Sequence, residues 1–249
     1  METDAEIEKR INERFEALDI MSQATAKGVN RALIVTGPAG VGKSFTVEKA
    51  AENICGEYAH LKGYIRPTGL FRALWENRRA GKLILLDDID SIFADENSLN
   101  ILKSACDSSK VRKISWLSQA EIEDESGEII PRTFEFEGSI IFITNIDFSA
   151  ASEKGSKMSV HYEALMSRSL YLDLNVKNKR DYMIRIKQVI FGDMLPELND
   201  EEKTDIVDFM TDNLNNMREL SLRMCKKLAD LMMMDKKNWK KLARMTCMK

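Results

Sequence analysis

Residues 31 to 54 constrain the fold more tightly than any other part of the chain. Arg31-Ala-Leu-Ile-Val-Thr36 is an apolar, β-rich run that ends in Gly37-Pro-Ala-Gly-Val-Gly-Lys-Ser44, after which Phe45 to Ile54 reads as a helix. Gly37, Gly42, Lys43 and Ser44 fit the pattern GxxxxGK[ST] completely, in the strand, loop and helix setting that the pattern requires. The glycines let the backbone wrap closely around phosphate oxygens, and successive N–H groups at a helix start donate to those oxygens in a favourable dipole field. The expected cradle for the phosphates of ATP is thus Gly37, Pro38, Ala39, Gly40, Val41, Gly42, Lys43, Ser44 and Phe45. Lys43 is placed to bridge the β- and γ-phosphates and Ser44 to ligate Mg²⁺.

Further strands fit Tyr58 to Leu61, Lys82-Leu-Ile-Leu-Leu-Asp87, Ser139-Ile-Ile-Phe-Ile-Thr-Asn145 and Leu170-Tyr-Leu-Asp-Leu174. The runs at 82 and 139 have apolar centres, Leu83 to Leu86 and Ile140 to Ile143, as strands buried on both faces of a parallel sheet must. Alternation of these strands with helical stretches, Gly69 to Arg79 and about Ser98 to Cys106 among them, gives an α/β class with a five-stranded parallel sheet. Ligands bind at the carboxyl ends of such strands, which is where Asp87 and Asp88 fall. Asp87 is expected to hold Mg²⁺, directly or through water, and Asp88 to polarise the attacking water. The alternative is a solvated strand end.

From Lys179 onward the pattern is wholly helical, with expected helices at Arg180 to Phe191, Asp200 to Asn213, Met217 to Met234 and Lys237 to Met245. The formal net charge is -3, which argues against a wholly basic nucleic-acid coat. Its distribution is uneven, since residues 176 to 249 carry 16 basic and 12 acidic side chains and residues 1 to 175 carry 21 and 28. The expected division is an α/β nucleotide-binding domain, 1–175, and a helical lid domain, 176–249. An acidic large domain and a basic lid suit packing between neighbouring copies. Apolar residues Ile7, Ile11, Phe15, Leu18 and Met21 lie on one helical face, so a short helix is expected to lead into the large domain.

These residues together resemble the AAA+ ATPases, over about Ile20 to Leu231, and a small, ring-forming or loader-type member of viral or phage kind. The resemblance implies an AAA+ core with a C-terminal α-helical lid. Asn145 is similar to the residue called sensor 1, which orients water against the γ-phosphate. Ala164-Leu-Met-Ser-Arg168 looks like the segment that carries an arginine finger, so Arg168 would act on a neighbouring subunit's nucleotide, in a homo-oligomeric ring or spiral. Asn216-Met-Arg-Glu-Leu220 is similar to the start of the lid helix that supplies sensor 2, which makes Arg218 the candidate. Most members have Asp-Glu where this chain has Asp87-Asp88, so slow hydrolysis, or help from Asp90, is part of the expectation.

What the chain acts on is less constrained. Gly63-Tyr64-Ile65 is similar to the pore loops with which unfoldases grip polypeptide, making Tyr64 and Ile65 candidate substrate contacts. Lys62 and Arg66 beside them also suit a nucleic-acid backbone, and Tyr64 packed under the loop is the competing reading. The stretch 113–136 is expected to form a β-hairpin insertion with an acidic turn, Glu121 to Glu128, resembling the pre-sensor-1 hairpin or else a solvated edge hairpin. The leading expectation is an oligomeric, Mg²⁺-dependent ATPase that remodels or translocates a macromolecule, protein before nucleic acid. An ATP-switched DNA-replication factor such as a helicase or clamp loader, a P-loop kinase for a small molecule, and a nucleotide-gated scaffold are the alternatives. Cys55, Cys106, Cys225 and Cys247 form no CxxC pair and read as reduced thiols. The charged N-terminus lacks the apolar core of a signal peptide and no run approaches the ~18 to 20 apolar residues of a membrane span. The expected location is the cytoplasm, that of an infected host cell if the chain is viral.

Overall fold

The computed structural model describes residues 2–153, 155 and 157–249. The chain forms two compact units, one built from 14–37 and 43–174, the other from 1–13, 38–42 and 175–249.

The larger unit is organised by a parallel sheet of β1 (Ala32–Thr36), β2 (Ala59–Lys62), β3 (Leu83–Asp87), β6 (Ser139–Thr144) and β7 (Leu170–Asp173), in the spatial order β2-β3-β6-β1-β7. Every residue of β1, β3 and β6 is buried. Their unbroken Leu, Ile, Val and Phe content follows from that position, since a central strand covered on both faces has no solvent side for polar residues. Between the strands run α2 (Lys43–Cys55), α3 (Pro67–Glu76), α4 (Ser91–Ala94), α5 (Glu96–Ala105), α6 (Phe148–Glu153) and α7 (Ser159–Met166). The sheet is the five-stranded parallel core expected of an AAA+ P-loop protein.

Register positions the chemistry. Thr36 pairs with Thr144 and Asp87 with Ile143, so β1, β3 and β6 end level with one another. The loops that leave them carry Gly37, Asp88 and Asn145 at one edge of the sheet. Strands β4 (Lys113–Ser115) and β5 (Thr133–Glu135) form an antiparallel pair of their own, the hairpin expected over 113–136. Helices α6 and α7 have no counterpart in the sequence reading, because each is short and lacks a long apolar repeat. Both are nonetheless anchored by aromatic packing, with Phe148 stacked on Tyr162 and edge-on to Phe93.

The smaller unit packs α8 (Lys179–Ile190), α9 (Asp200–Asp212), α10 (Leu222–Met234) and α11 (Trp239–Thr246) around a core that includes Ile186, Phe209, Leu228 and Trp239. Trp239 is therefore a core residue, its ring 5.1 Å from Phe209. Helix α9 opens with a capping box, Asn199 and Glu202 bonding reciprocally to backbone N–H groups. Helix α1 (Asp4–Ala26) is longer than expected and contributes residues to both units.

One helix starts later than the sequence implied. The helix expected from Met217 begins at Leu222, with Ser221 as its N-cap. Residues 213–216 form a turn instead, and Met217 makes an antiparallel bridge to Met248 near the end of the chain: Arg218 N–H donates to Cys247 O at 3.0 Å and Lys249 N–H to Asn216 O at 2.8 Å. Backbone bonding across the unit outweighs the local helical pattern there.

Candidate active site

Lys43 and Ser44 open helix α2, and the larger unit brings three strand ends to them. The Lys43 ammonium, buried in spite of its charge, donates to Gly37 O at 2.6 Å and to Asn145 Oδ1 at 2.9 Å. Such a cation is stable in the interior only when its hydrogens find acceptors. Ser44 Oγ donates to Asp87 Oδ1 at 2.9 Å. Asn145 completes the arrangement by donating from Nδ2 to Asp88 Oδ1 at 3.0 Å. Five of the residues singled out in the sequence, Lys43, Ser44, Asp87, Asp88 and Asn145, thus form two hydrogen-bonded sets springing from one helix start.

Asp88 is held in an uncommon backbone state, φ +53°, with its N–H donating to Ile143 O at 2.9 Å. An L-residue with a Cβ pays for left-handed geometry in steric energy, and Asp is among the few that tolerate it. Asp90 is occupied elsewhere, accepting from Thr144 Oγ1 at 2.7 Å.

The sequence reading missed the other side of Asp87. Its Oδ2 lies 3.2 Å from Lys62 Nζ and 3.4 Å from His60 Nε2, and Glu48 Oε1 lies 3.0 Å from Lys62 and 3.7 Å from His60. Period-two alternation in β2 puts His60 and Lys62 on one face, and Glu48 is one helical turn beyond Ser44, so the signal was present as spacing. The hydrogen bond to Glu48 is the largest influence and raises the Lys62 pKa above the ordinary lysine value; burial opposes it, and the hydrogen bond to Asp87 adds to the rise.

In the smaller unit, Val41 is buried and its carbonyl accepts from Arg185 Nε at 3.2 Å. Burial pushes the Arg185 pKa down to about 10. Gly40 O accepts from Leu222 N–H at 2.8 Å. Ala39, Tyr182, Met217, Arg218 and Ser221 are among the residues lining a cavity of about 350 Å³. Arg218 is exposed and precedes α10 rather than belonging to it. Its Nε donates to Met248 O at 2.7 Å.

The remaining candidates stand apart from the five. Arg168 follows α7, donating from Nη1 to Ala164 O at 2.8 Å and facing Asp107 Oδ1 from Nε at 3.4 Å. The Phe45 ring is 69% exposed and the Tyr64 ring 75%, so Tyr64 is not packed under its loop. Ile65, the other candidate contact, is partly buried, packed against the core of the larger unit and close to Gly69.

No family model matches the sequence. The chain is 39% identical over 245 residues to the "uncharacterized 36.7 kDa protein in nrdC-mobD intergenic region" of Enterobacteria phage T4, an overlap of 96% of this chain and 74% of that protein. Among solved structures it is similar to the RuvB Holliday junction branch migration motor of Thermotoga maritima, at 15% identity and TM-score 0.49, covering 92% of this chain and 63% of that one. Domain III of the T. maritima replication initiation protein DnaA gives 14% identity and TM-score 0.49, over 88% of this chain and 83% of that domain. NtrX from Brucella abortus, in complex with ADP, gives 13% identity and TM-score 0.48, over 88% and 48%. The chain thus spans less than two thirds of the RuvB chain and about half of the NtrX chain. No helix among the described residues is long and apolar enough to cross a membrane. The chain belongs to the family of the phage T4 protein, and its five-stranded parallel sheet, with the phosphate loop leaving β1, has the AAA+ P-loop fold that the sequence resemblance implies.

Proposed function

We propose that the protein is a Mg²⁺-dependent ATPase that works as an oligomer and moves or remodels a macromolecule. The observation that carries this reading is the pair of networks at the start of α2, Lys43 with Asn145 and Asp88, and Ser44 with Asp87. A hydroxyl and a carboxylate at 2.9 Å are hard oxygen donors of the kind Mg²⁺ takes, usually one or two protein ligands beside waters and phosphate. When bound, MgATP supplies the scissile anhydride and the metal charge that neutralises its oxygens.

The chain's own residues then have distinct tasks. The loop N–H groups and Lys43 hold phosphate oxygens. Ser44 and Asp87 hold the metal. Asp88 takes the proton of the attacking water, and Asn145 fixes the Asp88 carboxylate through Nδ2 and the Lys43 ammonium through Oδ1. Arg168 is assigned to a neighbouring copy's nucleotide and Arg218 to the lid side of its own. Exposed Tyr64 supports contact with polypeptide. Lys62 is engaged by Glu48 and Asp87, which weakens the case that it grips a nucleic-acid backbone.

Steady-state phosphate release tests the assignment. Asp88→Asn should lower turnover by about 10² or more, the scale of a lost general base, while ATP binding persists. Unchanged turnover would remove Asp88 from the mechanism. In the same assay, Lys43→Ala and Arg168→Ala chains, each inactive alone, should regain activity on mixing. No recovery would overturn a site shared between copies.

A further inference from the structure

Helix α5 and strand β4 enclose a groove that none of Lys43, Ser44, Asp87, Asp88 and Asn145 lines. Two open cavities, of about 370 and 560 Å³, share Asn100, Ser104 and Lys113 and so run into one another. One wall is the polar face of α5, where Asn97, Asn100 and Ser104 follow one another at steps of three and four. The other wall is β4 and the residues after it, as far as Ser118.

Strand β4 belongs to a two-stranded sheet, so among the described residues only one of its edges is paired. Trp116 N–H donates to Arg132 O at 2.8 Å and Phe136 N–H to Arg112 O at 2.9 Å, with Ile114 opposite Phe134 between them. In an antiparallel ladder alternate residues turn their backbone groups toward the partner. Residues 112, 114 and 116 face β5, and Lys113, Ser115 and Leu117 therefore turn their N–H and C=O groups the other way. Glu135 and Thr133 share the face of Lys113 and Ser115 but do not line the groove, which places it along the outer edge of β4 rather than over the sheet.

Charge narrows the occupant. Lys103, Lys113 and Arg168 line the groove against one carboxylate, Asp107, which already faces Arg168 and accepts from Ser109. Leu117, 84% exposed, adds an apolar rim. An edge of alternating N–H and C=O groups matches a peptide backbone and not a sugar-phosphate one, while the lining cations call for carboxylates. We propose that this groove binds an extended, acidic segment of a partner polypeptide as an added strand on β4, its backbone bonding to Lys113, Ser115 and Leu117 and its carboxylates meeting Lys103 and Lys113.

The test is fluorescence anisotropy of the full chain with labelled ten-residue peptides of alternating Val and Glu, or of alternating Val and Lys. The acidic peptide should bind and the basic one should not. Ser115→Pro deletes an N–H on the outer edge and no backbone bond of the β5 ladder, at the loss of the Ser115 Oγ contact with Thr133 Oγ1, and it should weaken binding at least about tenfold. Lys103→Glu should do the same. N-methylation of alternate peptide nitrogens on the probe should abolish binding, and this arm keeps the test valid even if Ser115→Pro fails a melting check for folding. No binding of the acidic peptide, indifference to N-methylation, or a labelled oligothymidylate binding in its place and lost with Lys103→Glu would each overturn the proposal.

Discussion

Gly40→Ala offers a quantitative check on how the phosphate loop is held in the smaller unit. Gly40 sits at φ +74°, and a Cβ built there meets Ser221 Cβ at 2.5 Å, with Ser221 Oγ at 3.2 Å and Cα at 3.5 Å. Two separable penalties follow. Left-handed geometry costs a residue with a Cβ about 1–2 kcal/mol, and forcing a methyl group into an occupied site costs typically about 1–3 kcal/mol. Their sum is roughly 2–5 kcal/mol. Neither side can give way easily, because Gly40 O accepts from Leu222 N–H and Ser221 Oγ caps α10 by accepting from Met224 N–H at 3.1 Å. Ser221→Gly removes the colliding Cβ, and glycine at an N-cap loses only a few tenths of a kcal/mol. The double substitution should therefore be about 1–3 kcal/mol more stable than the sum of the single effects predicts. Equilibrium urea unfolding followed by far-ultraviolet circular dichroism measures the cycle. Gly56, at φ +65° with nothing within 4 Å, supplies the backbone penalty alone when changed to Ala. If Gly40→Ala is no worse than Gly56→Ala, or if Ser221→Gly gives no relief, the close approach of the loop to α10 is refuted.

Three other substitutions address the metal side and the helical core. Lys62→Met removes a cation 3.2 Å from the Asp87 carboxylate. At the high effective dielectric of a partly exposed pair this is worth about 1 kcal/mol, so the Mg²⁺ dependence of ATP-analogue binding should shift several-fold toward lower Mg²⁺. An unchanged midpoint would separate Lys62 from the metal site. Trp239→Ala, at a position 3% exposed and packed on Phe209, should destabilise by about 3–5 kcal/mol in chemical denaturation. Met234→Ala, on a side chain 75% exposed, should stay within about 0.5 kcal/mol, and equal effects would contradict the packing described for this unit.

The sequence carried the sheet almost completely, for a physical reason. Strands β1, β3 and β6 are apolar through their centres, Ala32 to Val35, Leu83 to Leu86 and Ile140 to Ile143, because they are covered on both faces, and a run of that kind followed by a phosphate loop or a carboxylate pair leaves few alternatives. Where elements are held by contacts distant in the chain, local pattern failed. The segment around Arg218 is helical in its residues but forms a turn and an isolated bridge in the structure, since it pairs with residues 247–249. Helices α6 and α7 depend on Phe148, Tyr162 and Phe93, which meet only in three dimensions. The motif residues were legible because their spacing is fixed by strand and helix geometry. Glu48, His60 and Lys62 lie on those same elements but match no pattern, and their meeting at Asp87 needs the β2 and β3 register, Lys62 opposite Asp87, to be known.

The adjacent carboxylates show how one backbone angle can divide a site. Asp87 ends a fully buried strand, and its two oxygens are taken by Ser44 on one side and by Lys62 and His60 on the other. Had Asp88 continued in extended geometry, its side chain would have pointed to the opposite face of the sheet by the alternation of strands. The turn to φ +53° breaks that alternation and delivers the carboxylate to Asn145 instead. The main chain thus brings the Asp88 carboxylate within 3.0 Å of the Asn145 amide, and the same bend explains why Asn145 matters twice. It bonds both to the lysine of the phosphate loop and to the acid that this bend presents. Loss of its amide would leave a buried ammonium short of an acceptor and a strained aspartate without its partner, so both halves of the proposed chemistry depend on a side chain at the end of β6.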